Sequence, residues 1–447
     1  MNKFLLNIIF LLSLCFTNIN SDYIFFNSDV KDHHCIGFNS SYLNNENTKF
    51  MISFNTQAKF TNNSLTLDWV NNSLLSGINL ENENDKSNFL SIFNEENISL
   101  SPMIQSQFAF SYMNYSLSFT PQSFGNILLP YSIIDMAFYG LNFDKDISLD
   151  TDKSHFQAVL PIAFSHSRNI DKYVSNFNIP FKNIRAGVST KILMGLALFE
   201  TQFTNSVIDS DEDNIQIRGN VKSTYSIFNS KMIVDEDPNT GETNSEFEFG
   251  SDFGFSGSGL ALDFGLSGDY SENINVGLSF NNIFGTVAWK SSTYEYNMSY
   301  ELNISSEQFE EISNYDEAQK DSLNSSIITS ESNIAVSQTK TTPYPSYMLL
   351  NGNYEYKDLS AASHILVPFN DIYYKNIQFS IGTAYNKLKK LPLFFWINFD
   401  GSQHINWYSG FGLRFKNYDF NFGISQVDGF LNSSKGLSIG LSQSFKF

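Results

Sequence analysis

Between Gly259 and Trp289 the side chains change character at every second position. Leu260, Leu262, Phe264 and Leu266 alternate with Ala261, Asp263, Gly265 and Ser267. After the polar stretch Ser267–Asn273, Ile274, Val276, Leu278 and Phe280 alternate with Asn275, Gly277, Ser279 and Asn281. Successive side chains of a strand point to opposite faces, so this is a β-hairpin with one apolar and one small or polar surface. Soluble sandwiches contain such hairpins too. The fold is decided by whether the pattern runs around the whole chain and whether the chain is addressed to a membrane.

The first residues read as an address. Lys3 precedes the apolar run Phe4–Phe16, and Ser21 offers a small residue for cleavage, which predicts a signal peptide over residues 1–21. Beyond it no apolar run approaches the ~20 residues that a spanning helix needs. The bilayer otherwise admits only closed barrels, and a chain with 44 Phe, 22 Tyr and 16% charged residues has the aromatic content they use. The expectation is an all-β transmembrane antiparallel barrel of about 14 strands. Residues 49–447 would form it, and the polar, irregular segment 22–48 would lie outside the wall as a plug or a periplasmic tail. Cleavage after Ser21 removes one of 27 basic residues and none of 46 acidic ones, leaving 26 − 46 = −20. That balance argues against nucleic acid as a partner. Only Cys35 survives cleavage, so no intrachain disulfide forms.

Tight hairpins are the clearest local signals. Apolar positions are even through Phe108, Phe110 and Tyr112 and odd from Tyr115 through Leu117 and Phe119, which predicts a two-residue turn at Met113–Asn114. Trp407, Phe411 and Leu413 against Tyr418, Phe420 and Phe422 predict another at Lys416–Asn417. Further strands are expected at Phe50–Phe60, Ser64–Val70, Phe156–Phe164, Lys222–Ile233, Phe247–Phe255, Tyr347–Tyr356, Ala361–Val367, Ile377–Tyr385 and Leu391–Phe399. Ile184–Phe199 reads as two strands meeting near Gly195. A helix is expected from Asp85 to Asn97, capped by Asp85, and another after the capping box Ser305–Gln308. Asn205–Gln216, Asp235–Glu246 and Glu295–Lys340 read as long polar loops on the outer side.

The final stretch puts Leu437, Ile439, Leu441, Phe445 and Phe447 on one face and Ser438, Gly440, Ser442 and Ser444 on the other. A chain that stops on such an aromatic residue resembles the terminal signature read by barrel-assembly machinery in Gram-negative bacteria, with Phe445 and Phe447 as its signal.

Gly259–Leu266 and Val276–Lys290, together with Arg185–Gly195 and Tyr344–Leu350, resemble a widespread uncharacterised family of outer-membrane barrels. That family is related to the PorV/PorQ proteins of type IX secretion and to the FadL fatty-acid transporters. The resemblance runs from Phe108 to Phe447. It implies a barrel of about 14 strands with an N-terminal segment folded into the lumen, and no known substrate. Phe284 stands where the family leads one to expect a small residue.

No nucleophile elbow, phosphate loop or zinc-protease motif is present, so no catalytic residue, cofactor or metal is assigned. Adjacent residues of an extended segment point opposite ways, which leaves His33, His34 and Cys35 without ligand geometry. Asp235, Asp237, Asn239 and Glu246 have the spacing of a calcium loop, but its glycine is displaced and Pro238 intrudes; a solvated acidic hairpin tip is the simpler reading. Lumen-facing positions are Lys191, Asp263, Asn275, Ser279 and Asn281. A buried Asp263 needs a cationic partner or water, and Lys191 is nominated. Two functions fit: a passive channel or transporter for small apolar molecules, or a barrel that anchors or shuttles a secreted surface protein. Outer-membrane lipid and the barrel-assembly machinery are the expected common partners.

Overall fold

The computed structural model of the chain describes residues 35–447 except 44–48, 75–81, 94–95, 141–145, 178, 212–213, 237–242, 251–253, 291–292, 306–327, 337–338, 373–375 and 401–404. The strands are β1 (Phe50–Asn62), β2 (Ile98–Tyr112), β3 (Tyr115–Phe119), β4 (Gln122–Leu129), β5 (Ile147–Ser148), β6 (Ser154–Asn169), β7 (Lys182–Ser210) and β8 (Asn214–Ile227). They continue with β9 (Ser230–Glu236), β10 (Thr243–Phe249), β11 (Gly257–Asp269), β12 (Ile274–Trp289), β13 (Thr293–Ser305), β14 (Ile328–Val336) and β15 (Lys340–Pro343). The last seven are β16 (Tyr347–Tyr356), β17 (Leu359–Pro368), β18 (Gln378–Tyr385), β19 (Leu393–Asp400), β20 (Ile405–Arg414), β21 (Tyr418–Val427) and β22 (Gly436–Lys446).

Antiparallel pairing leads from β1 to β2, then to β3 and β4, which together make one interrupted strand, and on through β6, β7, β11, β12 and β16 to β22. β22 pairs back onto β1, from Met51 opposite Lys446 to Thr61 opposite Gly436. The result is a closed barrel of 14 strands. Closure pairs every wall strand on both sides, as hydrocarbon requires. The short turns at Met113–Asn114, Ser271–Asn273, Lys357–Asp358 and Lys416–Asn417 share one end of the barrel.

Alternation separates the two surfaces as the hairpin pattern implies. On β11, Ala261, Asp263 and Ser267 are buried while Leu260, Phe264 and Leu266 are exposed. On β22, Ser438, Ser442 and Ser444 are buried while Leu437, Ile439 and Phe445 are exposed. Aromatic rings gather on the outside beside the short turns, with Phe50 near Phe447, Phe181 near Tyr270, Phe415 near Tyr418, and Tyr418 near Phe445. Such a girdle suits the membrane interface, where a ring can be half wet.

Several elements depart from the sequence reading. Ser64–Val70 is not a strand. Asn62 Oδ1 accepts from Ser64 N, and the Thr66 side chain accepts from Trp69 N and opens the short helix Leu67–Trp69, so local side-chain bonds displace the ladder. The next helix is Glu83–Ser91, capped by Asn82 instead of Asp85. Lys222–Ile233 breaks at Phe228–Asn229, where Asn229 takes φ +55°, and β10 stops at Phe249. Ile184–Phe199 lies within one 29-residue strand, β7. Its lower part pairs with β11 as far as Gly195, and its upper part pairs with β8 from Ala197. β8 pairs with β13, and β13 with β14. A sheet of β5, β7, β8, β13 and β14 therefore rises from the wall at the end away from the short turns, where the sequence leads one to expect loops at Asn205–Gln216 and Glu295–Lys340. The helix expected after Ser305 lies outside the described residues.

Candidate functional site

Residues 35–43 sit inside the barrel. Cys35, Ile36, Phe38, Tyr42 and Leu43 are buried in one cluster with Ala109, Tyr347, Leu349 and Leu366 of β2, β16 and β17. Main-chain bonds of Phe38 and Asn39 to the Cys35 carbonyl make the segment a tight turn, and Asn39 Oδ1 accepts from Ser41 N to start the short helix Ser40–Tyr42. The wall holds this turn by its polar groups. Gln107 donates to the Ile36 carbonyl and Ser167 to the Ser41 carbonyl. Tyr42 Oη donates to Asn275 Oδ1 and accepts from Asn351 Nδ2, both at 2.7 Å.

Glycines let the backbone come this close. A Cβ at Gly187 would collide with Ser40 and Ser41, at Gly265 with Asn39, and at Gly277 with Tyr42 Oη and Asn351. Gly265 pairs with Gly187 across β11 and β7, and Gly277 with Ser267 across β12 and β11, so the three form a shallow seat on neighbouring strands.

Above the seat lies a buried ion pair. Lys191 Nζ stands 2.8 Å from Asp263 Oδ2, and both side chains are buried. Lys191 also donates to Asn282 Oδ1, while Asn282 N donates to Asp263 Oδ1 and Asn282 Nδ2 to the Pro345 carbonyl. Asn282 and Phe284 have φ of +55° and +60°, and the β11–β12 register shifts here. β12 leaves β16 after Asn281 and joins β15 at Thr286, with buried Tyr344 filling the gap. The bulge turns Phe284 fully outward. Asn275 is half-buried and bonds Asp269 as well as Tyr42. Ser279 and Asn281 are buried and bonded to each other. These groups hold one another by hydrogen bonds and one ion pair.

Between β22, β1 and β2 the interior carries uncharged polar groups at Asn55, Gln57, Gln107, Ser438 and Ser442. Asn55 donates to Gln107 and accepts from Ser442, and Gln57 donates to Ser438. Higher up, beyond the point where β8 takes over from β11, Glu200 is buried against Lys153, His155 and Lys340.

The outer rim carries a different surface. The helix Tyr131–Tyr139 buries none of its residues, and Ile133 and Tyr139 are exposed. Phe138 stacks on Phe89 of the helix Glu83–Ser91, Phe89 meets Trp69, and Phe93 meets Tyr131. Lys86 lies over the Tyr139 ring.

Among the described residues no group of three or more His, Cys, Asp or Glu side chains could hold a metal ion. His33 and His34 fall outside those residues, as do Asp237 and Asn239 of the acidic spacing, where β9 and β10 form a separate hairpin. Alternation pointed to Lys191 and Asp263. It missed Asn282, Tyr42 and Asn351, although the run Asn281-Asn282-Ile283-Phe284-Gly285 holds residue types that accept positive φ.

The closed wall, apolar outside and polar inside, defines an outer-membrane-type β-barrel. Residues 43–440 match the family described as "Family of unknown function (DUF5723)", and the chain belongs to that family. No curated protein matches the sequence. Similar solved structures include the Ralstonia pickettii toluene transporter TbuX, at 8% identity over 92% of each chain with a TM-score of 0.46. A TodX ΔS2S3 mutant monoaromatic hydrocarbon channel matches at 10% identity, over 93% of this chain and 95% of that one, with a TM-score of 0.49. A Pseudomonas aeruginosa FadL homologue matches at 10% identity, over 96% and 98%, with a TM-score of 0.47.

Proposed function

We propose that the protein is a passive conduit for small apolar molecules in the outer membrane of a Gram-negative bacterium, inserted by barrel-assembly machinery after export. One observation carries this reading: the apolar rim helix Tyr131–Tyr139, which buries none of its residues and exposes Ile133 and Tyr139. It lies at the end away from the aromatic girdle of the short turns, where a wall alone needs no apolar helix. An exposed patch of this kind usually marks a binding surface. Residues 35–43, within the N-terminal segment 22–48, act as the closing element, and a solute that lands on the rim passes inward when they yield. The test is uptake of a labelled apolar solute into liposomes containing the barrel. Ile133→Glu should lower uptake severalfold and leave folding unchanged; unchanged uptake would remove the rim from the path.

A second reading has its own support. The sheet of β7, β8, β13 and β14 stands beyond the wall with the Tyr225 and Tyr294 rings stacked on one face, a platform suited to a barrel that anchors or shuttles a secreted surface protein. Stoichiometric co-purification of such a protein, lost on deletion of β13 and β14, would favour it over transport.

A further inference from the structure

The outer sheet contains a cleft that neither reading uses. Its origin is a bulge in β7: pairing with β8 runs through Thr204 opposite Asn220, skips Asn205 and Ser206, and resumes with Val207 opposite Arg218. Asn205 takes φ +52°, Ser206 N donates to Asp150 Oδ1, and Ser206 occupies the place that a Cβ at Gly219 would need. The bulge borders a cavity of about 660 Å³, within the ~300–1,000 Å³ of small-molecule sites.

Its orientation follows from the register. Glu200 lies opposite His155 of β6 and Thr224 of β8, on the interior-facing side of the wall. Counting by twos along β8 from Thr224 gives Lys222, Asn220 and Arg218 on that same side. Opposite them on β13 stand Ser299 and Glu301. The cleft thus overlooks the mouth of the barrel.

Its chemistry is mixed in sign, with charged and amide side chains set beside Val207 and Tyr300. Asp150 and Glu301 supply carboxylate acceptors, and Arg218 and Asn220 supply donors. Glu301 accepts from Gln216 and Asn303, and although Arg218 is its cross-strand neighbour, Arg218 makes no ion pair among the described residues. Two carboxylates against one guanidinium give a net negative cleft, which repels an anion. Val207 and Tyr300 are its apolar wall residues, too short a run for an acyl chain. Interspersed donors and acceptors suit a ligand that donates and accepts at each of several adjacent atoms, as vicinal hydroxyls do.

We infer that this cleft binds a neutral saccharide at the outer mouth, with sugar hydroxyls donating to Asp150 and Glu301 and accepting from Arg218 and Asn220. The test is saturation-transfer NMR and calorimetry on the detergent-solubilised full-length protein with neutral gluco-, manno- and galacto-oligosaccharides and with oligogalacturonate. At least one neutral oligosaccharide should bind saturably, with the same affinity in low and high salt, while oligogalacturonate does not. Arg218→Met and Glu301→Gln, both exposed positions on an intact sheet, should each weaken binding about tenfold or more. Failure of every neutral oligosaccharide, preferential salt-sensitive binding of oligogalacturonate, or unaltered binding by Arg218→Met and Glu301→Gln would each overturn the assignment. Uptake of the apolar solute should be unchanged in Arg218→Met, so failure here and failure of the transport reading are read separately.

Discussion

A buried carboxylate and a buried ammonium make a risky pair, because each is costly without the other. Lys191 and Asp263 meet at 2.8 Å and share Asn282 between them. The pair therefore pins the bulge of β12 to β7. Asp263→Asn leaves the ammonium uncompensated and should cost about 3–5 kcal/mol, read as a lower denaturation midpoint in detergent. Replacing both residues with Met and Leu should cost less than Asp263→Asn alone, and apolar uptake should persist in each variant that folds. Collapse of uptake with unchanged stability would move Asp263 from the wall to the transport path. Period-two alternation put both side chains on the polar face, because burial alone fixes that phase. The Asn282 bridge was not legible, since it depends on a bulge, and a bulge is a local break in the very pattern being read.

Strands were legible wherever both faces had a stable character. The pattern marks Tyr347–Tyr356 at the limits β16 has and sets the last strand at Leu437–Phe447, one residue later at each end than β22. The failures share a cause. β7 continues past Gly195 while its partner changes from β11 to β8, and β13 and β14 pair outside the membrane band, where no lipid enforces alternation. A one-dimensional pattern records the environment of a strand, not the identity of its neighbour. Register on β22 can be tested directly. Leu441 faces outward, so Leu441→Arg should impair assembly at a cost of about 2–4 kcal/mol near the midplane. Ser442 is buried and donates to Asn55, so Ser442→Ala should cost only about 1 kcal/mol. Equal damage from the two, scored by the fraction of barrel that folds, would mean that β22 is shifted by one residue.

At the scale of the molecule, wall and inner segment are tied in one piece. A closed barrel resists detergent unfolding, so the unheated protein should migrate differently from the boiled one on a gel, and extraction by high salt or alkaline wash would contradict membrane insertion. The inner segment has a built-in reporter. Cys35 is fully buried within the cluster that packs residues 35–43 against β2, β16 and β17, and a chain cleaved after Ser21 holds no other cysteine. A maleimide should therefore label the folded protein slowly and the boiled protein at once. Gly277→Val places a side chain where Tyr42 Oη and Asn351 now meet, and should unseat the segment without opening the wall, because Gly277 keeps its place in the ladder between Asn351 and Ser267. The expected result is fast labelling of Cys35 with unchanged gel mobility before boiling, accompanied by faster apolar uptake. If labelling accelerates while uptake does not, the segment is a fixture of the interior with no part in closing it. If Cys35 stays protected, the glycine seat does not hold it.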